Sequence, residues 1–276
     1  MNQGERHFEP VGWPDKRQSA GFISASGVAF IVSAAATVYF CRSMCCEMEM
    51  PGGWRMSMMW MRMPGQTWAA SAASFLLMWL AMMVAMMLPS AMPMLLSYRR
   101  SLVDRGVVCV GVPVILTTCG YFLVWLAIGA IVYAAGAAIA SETMHSTEFS
   151  HSVPFLSGAA LVIAGCFQFT PWKTEGLRQC RCQQICALPQ AGGIPRMAWR
   201  HGIRQGAYCA VCCASPMMAL LVLGTMDLGV MILVVAMITM EKLMPRPEFL
   251  VRISGIAGLI TGGVMIARAL ISIHSP

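Results

Sequence analysis

Long apolar runs separated by short polar segments dominate the chain. A helix needs roughly 20 residues to cross a hydrocarbon core of about 30 Å, and seven runs approach or exceed that length, at about residues 20–40, 67–94, 110–138, 154–172, 206–223, 226–241 and 253–273. The sixth run is short, and Pro89 and Pro93 are expected to kink the second. The pattern predicts an all-α, polytopic integral membrane helix bundle of about seven transmembrane helices, with residues 1–276 forming a single membrane domain.

The composition supports a membrane as the surroundings of this bundle. Of the 276 residues, 58% are hydrophobic and only 11% are charged, whereas about a quarter of a soluble globular domain is charged. This shortage of charge argues against a water-soluble enzyme, a disordered protein and a nucleic-acid-binding protein. The lipid bilayer is therefore an expected partner, and no nucleic acid is.

Basic residues predict the direction in which the chain crosses the membrane. Short loops rich in Lys and Arg stay on the cytoplasmic side. With the N-terminus inside, the inner segments contain 15 of the 19 Lys and Arg residues, and the exceptions are Arg42, Arg55, Arg62 and Arg268. We therefore expect the N-terminus in the cytoplasm and the C-terminus outside, and this topology accounts for the formal net charge of +7.

Methionine is concentrated in the predicted outer loop at residues 41–66. Thioethers are soft ligands that select Cu(I) over hard cations, and Met-x-Met spacing puts two sulfurs on one face of an extended segment. The candidate metal ligands in this loop are Met48, Met50, Met56, Met58, Met59, Met61 and Met63. The competing interpretation is that these side chains fill apolar gaps or lie at the membrane interface beside tryptophans. The loop also carries Cys41, Cys45 and Cys46, for which disulfides on an oxidising side are the alternative.

A second group of thioethers lies in the second predicted span. Met78, Met82 and Met86 recur at every fourth residue, so they share one flank of a helix. Such a stripe either packs in the core or lines a cavity, and the prolines that follow it favour a cavity in a membrane protein. We therefore count Met82 and Met86 among the candidate metal ligands.

The predicted outer segment at residues 141–153 contains two successive Glu-x-x-His pairs. On a helix, residues i and i+3 face nearly the same way, so each pair offers a carboxylate and an imidazole to a metal ion. The four candidate ligands are Glu142, His145, Glu148 and His151. The same residues are also typical of a solvated loop.

Cysteines gather at the predicted inner face. Five of them are candidate soft-metal ligands, two in an expected cytoplasmic Cys/Arg loop at residues 173–205 and three at the start of the fifth span: Cys180, Cys182, Cys209, Cys212 and Cys213. The Cys-x-x-Cys spacing is typical of a metal site, and a reducing cytoplasm keeps these residues as thiols. The alternative is that small apolar cysteines pack between helices.

Polar residues stand at the inner ends of two predicted spans. Gln168 ends the fourth, and Glu241 lies beside Lys242 at the end of the sixth. A carboxylate at this depth is costly unless it is paired, so Glu241 has either a functional role or an ion pair with Lys242 or Arg252. In the last span, Gly258 and Gly262 have the spacing of a close helix contact.

Five distinct motifs lie between about residues 44 and 245. They are Pro51-Gly52-Gly53-Trp54 with the Met-rich segment after it, the Met82–Pro93 run, Gly165–Lys173, Gly206 with Cys209, Cys212 and Cys213, and Glu241-Lys242. Together they resemble a family of bacterial integral membrane proteins described as predicted metal-binding. The chain departs from that pattern at Gly176, where a Cys is expected, and at Ala214 and Asp227. The resemblance implies metal binding in a bacterial inner (cytoplasmic) membrane.

The sequence therefore predicts a copper-binding membrane protein, with Cu(I) preferred, that handles copper for transport, insertion or delivery. In this hypothesis the outer methionines capture the ion and the inner thiols receive it. One alternative is a copper-dependent membrane oxidoreductase that acts on a hydrophobic substrate through His145 or His151. Another is a non-catalytic subunit of a membrane complex. The expected partners are the metal ion, the bilayer, and another membrane protein or a copper chaperone.

Overall fold

Helices account for nearly all of the described structure. The computed structural model describes residues 16–43, 47–50, 54–57, 60–61, 65–107, 109–181, 193–225, 227–244 and 247–274. In chain order the elements are α1 (Lys16–Ser43), β1 (Glu47–Met50), β2 (Trp54–Ser57), α2 (Trp68–Asp104), α3 (Gly111–His145), α4 (Thr147–Phe167), α5 (Pro171–Arg181), α6 (Ile194–Leu223), α7 (Leu228–Leu243) and α8 (Glu248–His274). The two strands form one antiparallel hairpin. The predicted all-α helix bundle is confirmed.

Six helices in the described ranges are long and apolar enough to cross a membrane, namely α1, α2, α3, α4, α6 and α8. Many of their large apolar side chains face outward, and Ile131 on α3 is 70% exposed, as a bilayer environment requires. Helix α7 takes the place of the sixth predicted span but has 16 residues, which corresponds to about 24 Å. The protein is therefore a polytopic membrane protein in which α7 is shorter than a full span.

Helix α2 is continuous over 37 residues. It begins at the N-cap Thr67, whose side chain accepts a hydrogen bond from the Ala70 amide over 3.2 Å, as capping hydroxyls do. Pro89 and Pro93 lie inside the helix without ending it. The expected kink at these prolines stays a prediction, and the hydroxyl of Ser90 between them donates to the Met87 carbonyl over 3.0 Å.

The segment 141–153, expected as a loop, is almost entirely helical. Ser146 separates α3 from α4, and it serves both: its amide bonds to the Glu142 carbonyl at 2.9 Å, and its hydroxyl accepts from the Phe149 amide at 3.3 Å. A serine N-cap starts a new helix where the previous one ends. The two Glu-x-x-His pairs therefore lie on different helices.

The described part of the segment 173–205 is also helical. Helix α5 starts at Pro171, where a fixed φ and a missing amide hydrogen suit the first helical position. Helix α6 starts at Ile194, well before the fifth apolar run. The polar residues here suggested a loop. Polar composition does not distinguish a loop from a helix end that lies outside the bilayer.

Glycines let two pairs of helices approach closely. Between α3 and α6, a Cβ at Gly202 would lie 2.2 Å from the Thr117 carbonyl oxygen. Between α4 and α8, a Cβ at Gly262 would lie 2.8 Å from the Gly158 carbonyl oxygen, and Gly258 faces Gly165. The close helix contact predicted for Gly258 and Gly262 is confirmed, and small residues of this kind are typical of membrane helix interfaces.

Candidate metal centre

Four cysteine side chains meet where α5 packs against α6, and we call them the thiol group: Cys180, Cys209, Cys212 and Cys213. The Sγ atoms of Cys180, Cys209 and Cys212 all lie within 4.8 Å of one another. Cys213 Sγ lies 3.6 Å from Cys212 Sγ and 3.9 Å from Cys209 Sγ. The three cysteines of α6 are buried, whereas Cys180 is half-buried.

The two helices place these sulfurs by simple periodicity and close packing. Cys209, Cys212 and Cys213 are spaced i, i+3 and i+4, so they share one face of α6. Gly176 of α5 packs against that face, where an added Cβ would lie 3.2 Å from Val211 Cγ1 and 3.4 Å from the Cys212 amide nitrogen. Cys180, one turn after Gly176, then brings its sulfur to 3.4 Å from Cys212 Sγ. Gly176, one of the three positions that depart from the family pattern, thus adjoins the candidate centre.

The spacing of the thiol group fits a soft metal ion. A metal–thiolate bond is about 2.3 Å long; at that length, two sulfurs on opposite sides of an ion lie about 4.6 Å apart and three in a trigonal plane about 4.0 Å apart. Three Sγ–Sγ separations in the thiol group are 3.4, 3.6 and 3.9 Å, and those among Cys180, Cys209 and Cys212 are all within 4.8 Å, so they lie close to these values. Within the described ranges, no other group of three or more Cys, His, Asp or Glu donor atoms is this compact. Small side-chain movements would bring three sulfurs to one ion.

Cys209 accepts hydrogen bonds from two further side chains. Tyr121 donates its hydroxyl to Cys209 Sγ over 2.9 Å, and Lys242 donates from Nζ over 3.0 Å. Lys242 Nζ also donates to Ser90 Oγ over 3.2 Å. A cation and a hydroxyl aimed at one sulfur stabilise a thiolate, which is the form that binds metal. Cys209 is therefore the best prepared ligand of the group.

A buried ion pair lies directly behind the thiol group. Lys173 Nζ is 2.7 Å from Glu241 Oε2, and the two side chains are 0% and 3% exposed. Lys173 also donates a hydrogen bond to the Cys212 carbonyl. The partner of Glu241 is thus Lys173 of α5, and the expected ion pair with Lys242 or Arg252 is wrong, because Lys242 is directed to Cys209. Lys173 therefore joins the backbone of the thiol group to α7.

Gln168 extends this ion pair into a polar network. Its Nε2 donates to Glu241 Oε1 over 3.3 Å and to Ser254 Oγ over 2.7 Å, and Ser254 Oγ also bonds to Glu241 Oε1 over 3.2 Å. Gln168, Lys173, Glu241 and Ser254 form what we call the ion-pair network. Burial makes these polar groups depend on one another for hydrogen bonds, so the network ties α5, α7 and α8 together beside the thiol group. Gln168 and Glu241 act in this support.

The thioethers of α2 form a buried row that leads toward the thiol group. Five methionines, each at most 4% exposed, make up this thioether row: Met78, Met82, Met83, Met86 and Met87. They share one continuous core with Cys209, Cys212 and Cys213. Met87 is followed closely by Ser90, which Lys242 links to Cys209. Met82 and Met86 therefore lie in the protein interior, in the same core as the cysteines of α6.

The methionines of the hairpin lie at the other end of α3. Met48 and Met56 are directly opposed across the two strands. Met50 and Met56 are buried against Ala140, with Met48 and Met61 half-buried beside them. The remaining predicted ligands of this loop, Met58, Met59 and Met63, lie outside the described residues, as does Cys182 of the inner segment.

The Glu-x-x-His residues do not belong to the thiol group. Glu142, His145, Glu148 and His151 are all exposed, and His145 Nδ1 lies 2.6 Å from the Ser141 carbonyl of its own helix. His145 follows Tyr121 by 24 residues on α3, which corresponds to about 36 Å. These side chains are therefore remote from the thiol group.

Sequence reasoning missed three side chains that complete the candidate centre, namely Tyr121, Lys173 and Lys242. Both lysines stood in the quoted motifs but were not assigned to a site. A usable signal was present, because a lysine within or next to an apolar span is costly and requires a partner. Nothing comparable marked Tyr121, whose role depends on how α3 crosses α6.

Residues 76–265 match the model of a family described as PpoB2, copper chaperone. The matched part runs from α2 into α8, so it contains the thiol group, the thioether row and the ion-pair network, whereas the hairpin precedes it. Searches of curated proteins and of solved structures gave no match. Because the family model matches more than half of the chain, this membrane protein belongs to the PpoB2 copper chaperone family.

Proposed function

We propose that the protein binds copper as Cu(I) at the thiol group and delivers it to a partner protein. The observation that carries the proposal is the convergence of three sulfurs, on Cys180, Cys209 and Cys212, within 4.8 Å of one another. The family match supports copper as the metal. Copper is here the cargo of the protein.

The donor set supports the monovalent ion. Thiolates are soft ligands that select Cu(I), whereas Cu(II) prefers nitrogen and oxygen ligands in a square arrangement. The thiol group offers only sulfur at this spacing. A Cu(I) ion with two thiolates carries one net negative charge, and the ammonium of Lys242, 3.0 Å from Cys209 Sγ, offsets it in a medium where an unpaired charge is costly.

The unequal burial of the ligands supports delivery. Cys209 and Cys212 are 1% exposed, but Cys180 is half-buried. Cys180 belongs to α5, an 11-residue helix that is too short to span the membrane. An acceptor can therefore reach the ion from the Cys180 side, with its own sulfur replacing that of Cys180 while the two buried cysteines keep hold. In the predicted orientation this side faces the cytoplasm, as part of a bacterial inner membrane protein.

The oxidoreductase alternative gains no support from the geometry. It relied on His145 or His151 as copper ligands, and both are exposed, with His145 about 36 Å along α3 from the Tyr121 that contacts Cys209. A redox centre assembled from these histidines and the thiol group is therefore too extended to hold one ion.

The proposal is tested by titrating the purified protein with Cu(I), without oxygen, against a chromophoric Cu(I) chelator. Cys209→Ser and Cys212→Ser should each weaken Cu(I) binding at least about 100-fold, which corresponds to about 2.8 kcal/mol. Cys119→Ser and Cys166→Ser are matched controls, because these cysteines are exposed and outside the thiol group, and they should bind like the unmodified protein. Equal Cu(I) affinity in all four variants would refute the proposed site.

A further inference from the structure

The hairpin presents several sulfur and indole side chains on one face. Met48 pairs with Met56 and Met50 pairs with Trp54 across the strands. Side chains two residues apart on a strand share a face, so these four residues project to the same side of the hairpin. Directly opposed side chains in an antiparallel pair have Cβ atoms about 5 Å apart, which is within reach of one ion for two flexible thioethers.

Other elements close this face into a compact cluster, which we call the thioether–indole cluster. Met50 and Met56 are 7% and 4% exposed, with Ala140 of α3 beneath them. Trp60 covers them from the side, in contact with Gly136, where an added Cβ would lie 2.2 Å from its ring. Trp54 is held in place by a hydrogen bond from Nε1 to the Ser150 carbonyl, 3.0 Å long. The cluster is thus built into the bundle.

Partial exposure gives an ion a way into this cluster. Met48 and Met61 are half-buried and pack against Met50 and Met56, so the cluster is open to its surroundings at these two side chains. Thioethers bind Cu(I) without first losing a proton, and indole faces attract a nearby cation. The same side chains that fill the space therefore offer a soft, neutral environment to a monovalent cation.

The cluster is distant from the thiol group and lies outside the part of the chain that matches the family. Gly136, which contacts Trp60, follows Tyr121 by 15 residues on α3, which corresponds to about 22 Å. The family match begins at residue 76, after the whole hairpin. The thioether row of α2 shares its core with the α6 cysteines, whereas Met50 and Met56 belong to a separate small core, and Trp60 packs against both.

We propose that the thioether–indole cluster is a second binding site for Cu(I), formed by the sulfurs of Met48, Met50 and Met56. The site binds more weakly than the thiol group, since neutral thioethers lack the charge of thiolates, so it releases its ion to the thiol group. This inference extends the proposed function to the opposite end of the bundle and rests on it only for the identity of the cargo.

Silver(I) is a suitable probe because it is soft and monovalent and does not change its oxidation state. It is titrated by calorimetry into the protein in which all twelve cysteines, including the four of the thiol group, are replaced by serine. We expect this protein to bind one silver ion. Adding Met48→Leu, Met50→Leu and Met56→Leu should abolish that binding, because leucine keeps the packing volume and removes the donors.

The control replaces three exposed methionines away from the cluster, Met218→Leu, Met240→Leu and Met244→Leu, and should leave silver binding unchanged. No silver binding to the thiol-free protein, or equal binding after the hairpin substitutions, would overturn the proposal. The hairpin substitutions are also made with all cysteines intact, where the thiol group should keep its Cu(I). Loss of copper in the cysteine variants alone therefore concerns the proposed function, and loss of silver in the hairpin variant alone concerns the second site.

Discussion

Lys242 points its Nζ at the Sγ of Cys209 over 3.0 Å. This contact joins α7 to α6, and the second hydrogen bond of Lys242, to Ser90, ties both helices to α2. The neighbouring residue Glu241 turns the other way, to Lys173. Two adjacent side chains thus serve different functions, one as a countercharge beside the sulfur and the other in the support behind it.

The countercharge predicts a specific pattern of substitutions at Lys242. Lys242→Met keeps a flexible side chain but removes the charge, so Cu(I) binding should weaken about tenfold, equivalent to about 1.4 kcal/mol. Lys242→Arg keeps the charge and should retain most of the affinity. Competition with a Cu(I) chelator measures both. Equal losses in the two variants would mean that Lys242 acts through packing rather than through charge.

The ion-pair network predicts that one substitution lowers the stability strongly and that a second substitution restores much of it. Lys173→Met leaves the carboxylate of Glu241 buried without its cation, a change that typically costs about 3–5 kcal/mol. Adding Glu241→Gln removes the orphan charge and should restore much of the free energy of unfolding. Unfolding in mixed micelles measures each step.

The surface pair of Glu175 and Arg178 provides the control for that comparison. Their side chains are 52% and 75% exposed, and pairs of this kind contribute little. Glu175→Gln should leave the unfolding curve unchanged. If the double variant Lys173→Met, Glu241→Gln is no more stable than Lys173→Met alone, the assigned role of the Lys173–Glu241 ion pair is contradicted.

The close crossing of α3 and α6 predicts that one added methyl group disturbs both stability and copper binding. In Gly202→Ala the new Cβ would lie 2.2 Å from the Thr117 carbonyl oxygen, so the helices must separate, at a cost of about 1–3 kcal/mol. Tyr121 would then move away from Cys209, which should lower Cu(I) affinity. Gly263→Ala is the control because nothing lies within 4 Å of its added Cβ. Wild-type behaviour of Gly202→Ala in both assays would contradict this packing.

The bundle was predictable from the sequence because its signal is local. Runs of apolar residues indicate the membrane spans, and the Gly258-x-x-x-Gly262 spacing along one helix indicates a close helix contact. Helix boundaries outside the apolar runs had no such signal, as at residues 173–181, where polar residues form most of α5. Hydrophobicity indicates which residues lie in the bilayer, but a helix can continue past the end of its apolar run.

The candidate centre was only partly predictable because its geometry is not local. The cysteines of α6 stand together in the sequence, but Cys180 joins them across a helix pair, and the partner of Glu241 is 68 residues away. The exposed Glu-x-x-His pairs illustrate the converse. Their spacing is favourable, yet Ser146 places them on separate helices.

X-ray absorption at the copper edge tests the central claim most directly. The sample is the protein carrying Met48→Leu, Met50→Leu and Met56→Leu, loaded with half an equivalent of Cu(I). We expect a first shell of two or three sulfur atoms at about 2.3 Å, the length of a metal–thiolate bond, which disappears when Cys209→Ser and Cys212→Ser are added. A first shell of nitrogen or oxygen, or a sulfur shell that survives the loss of both cysteines, would contradict copper binding at the thiol group.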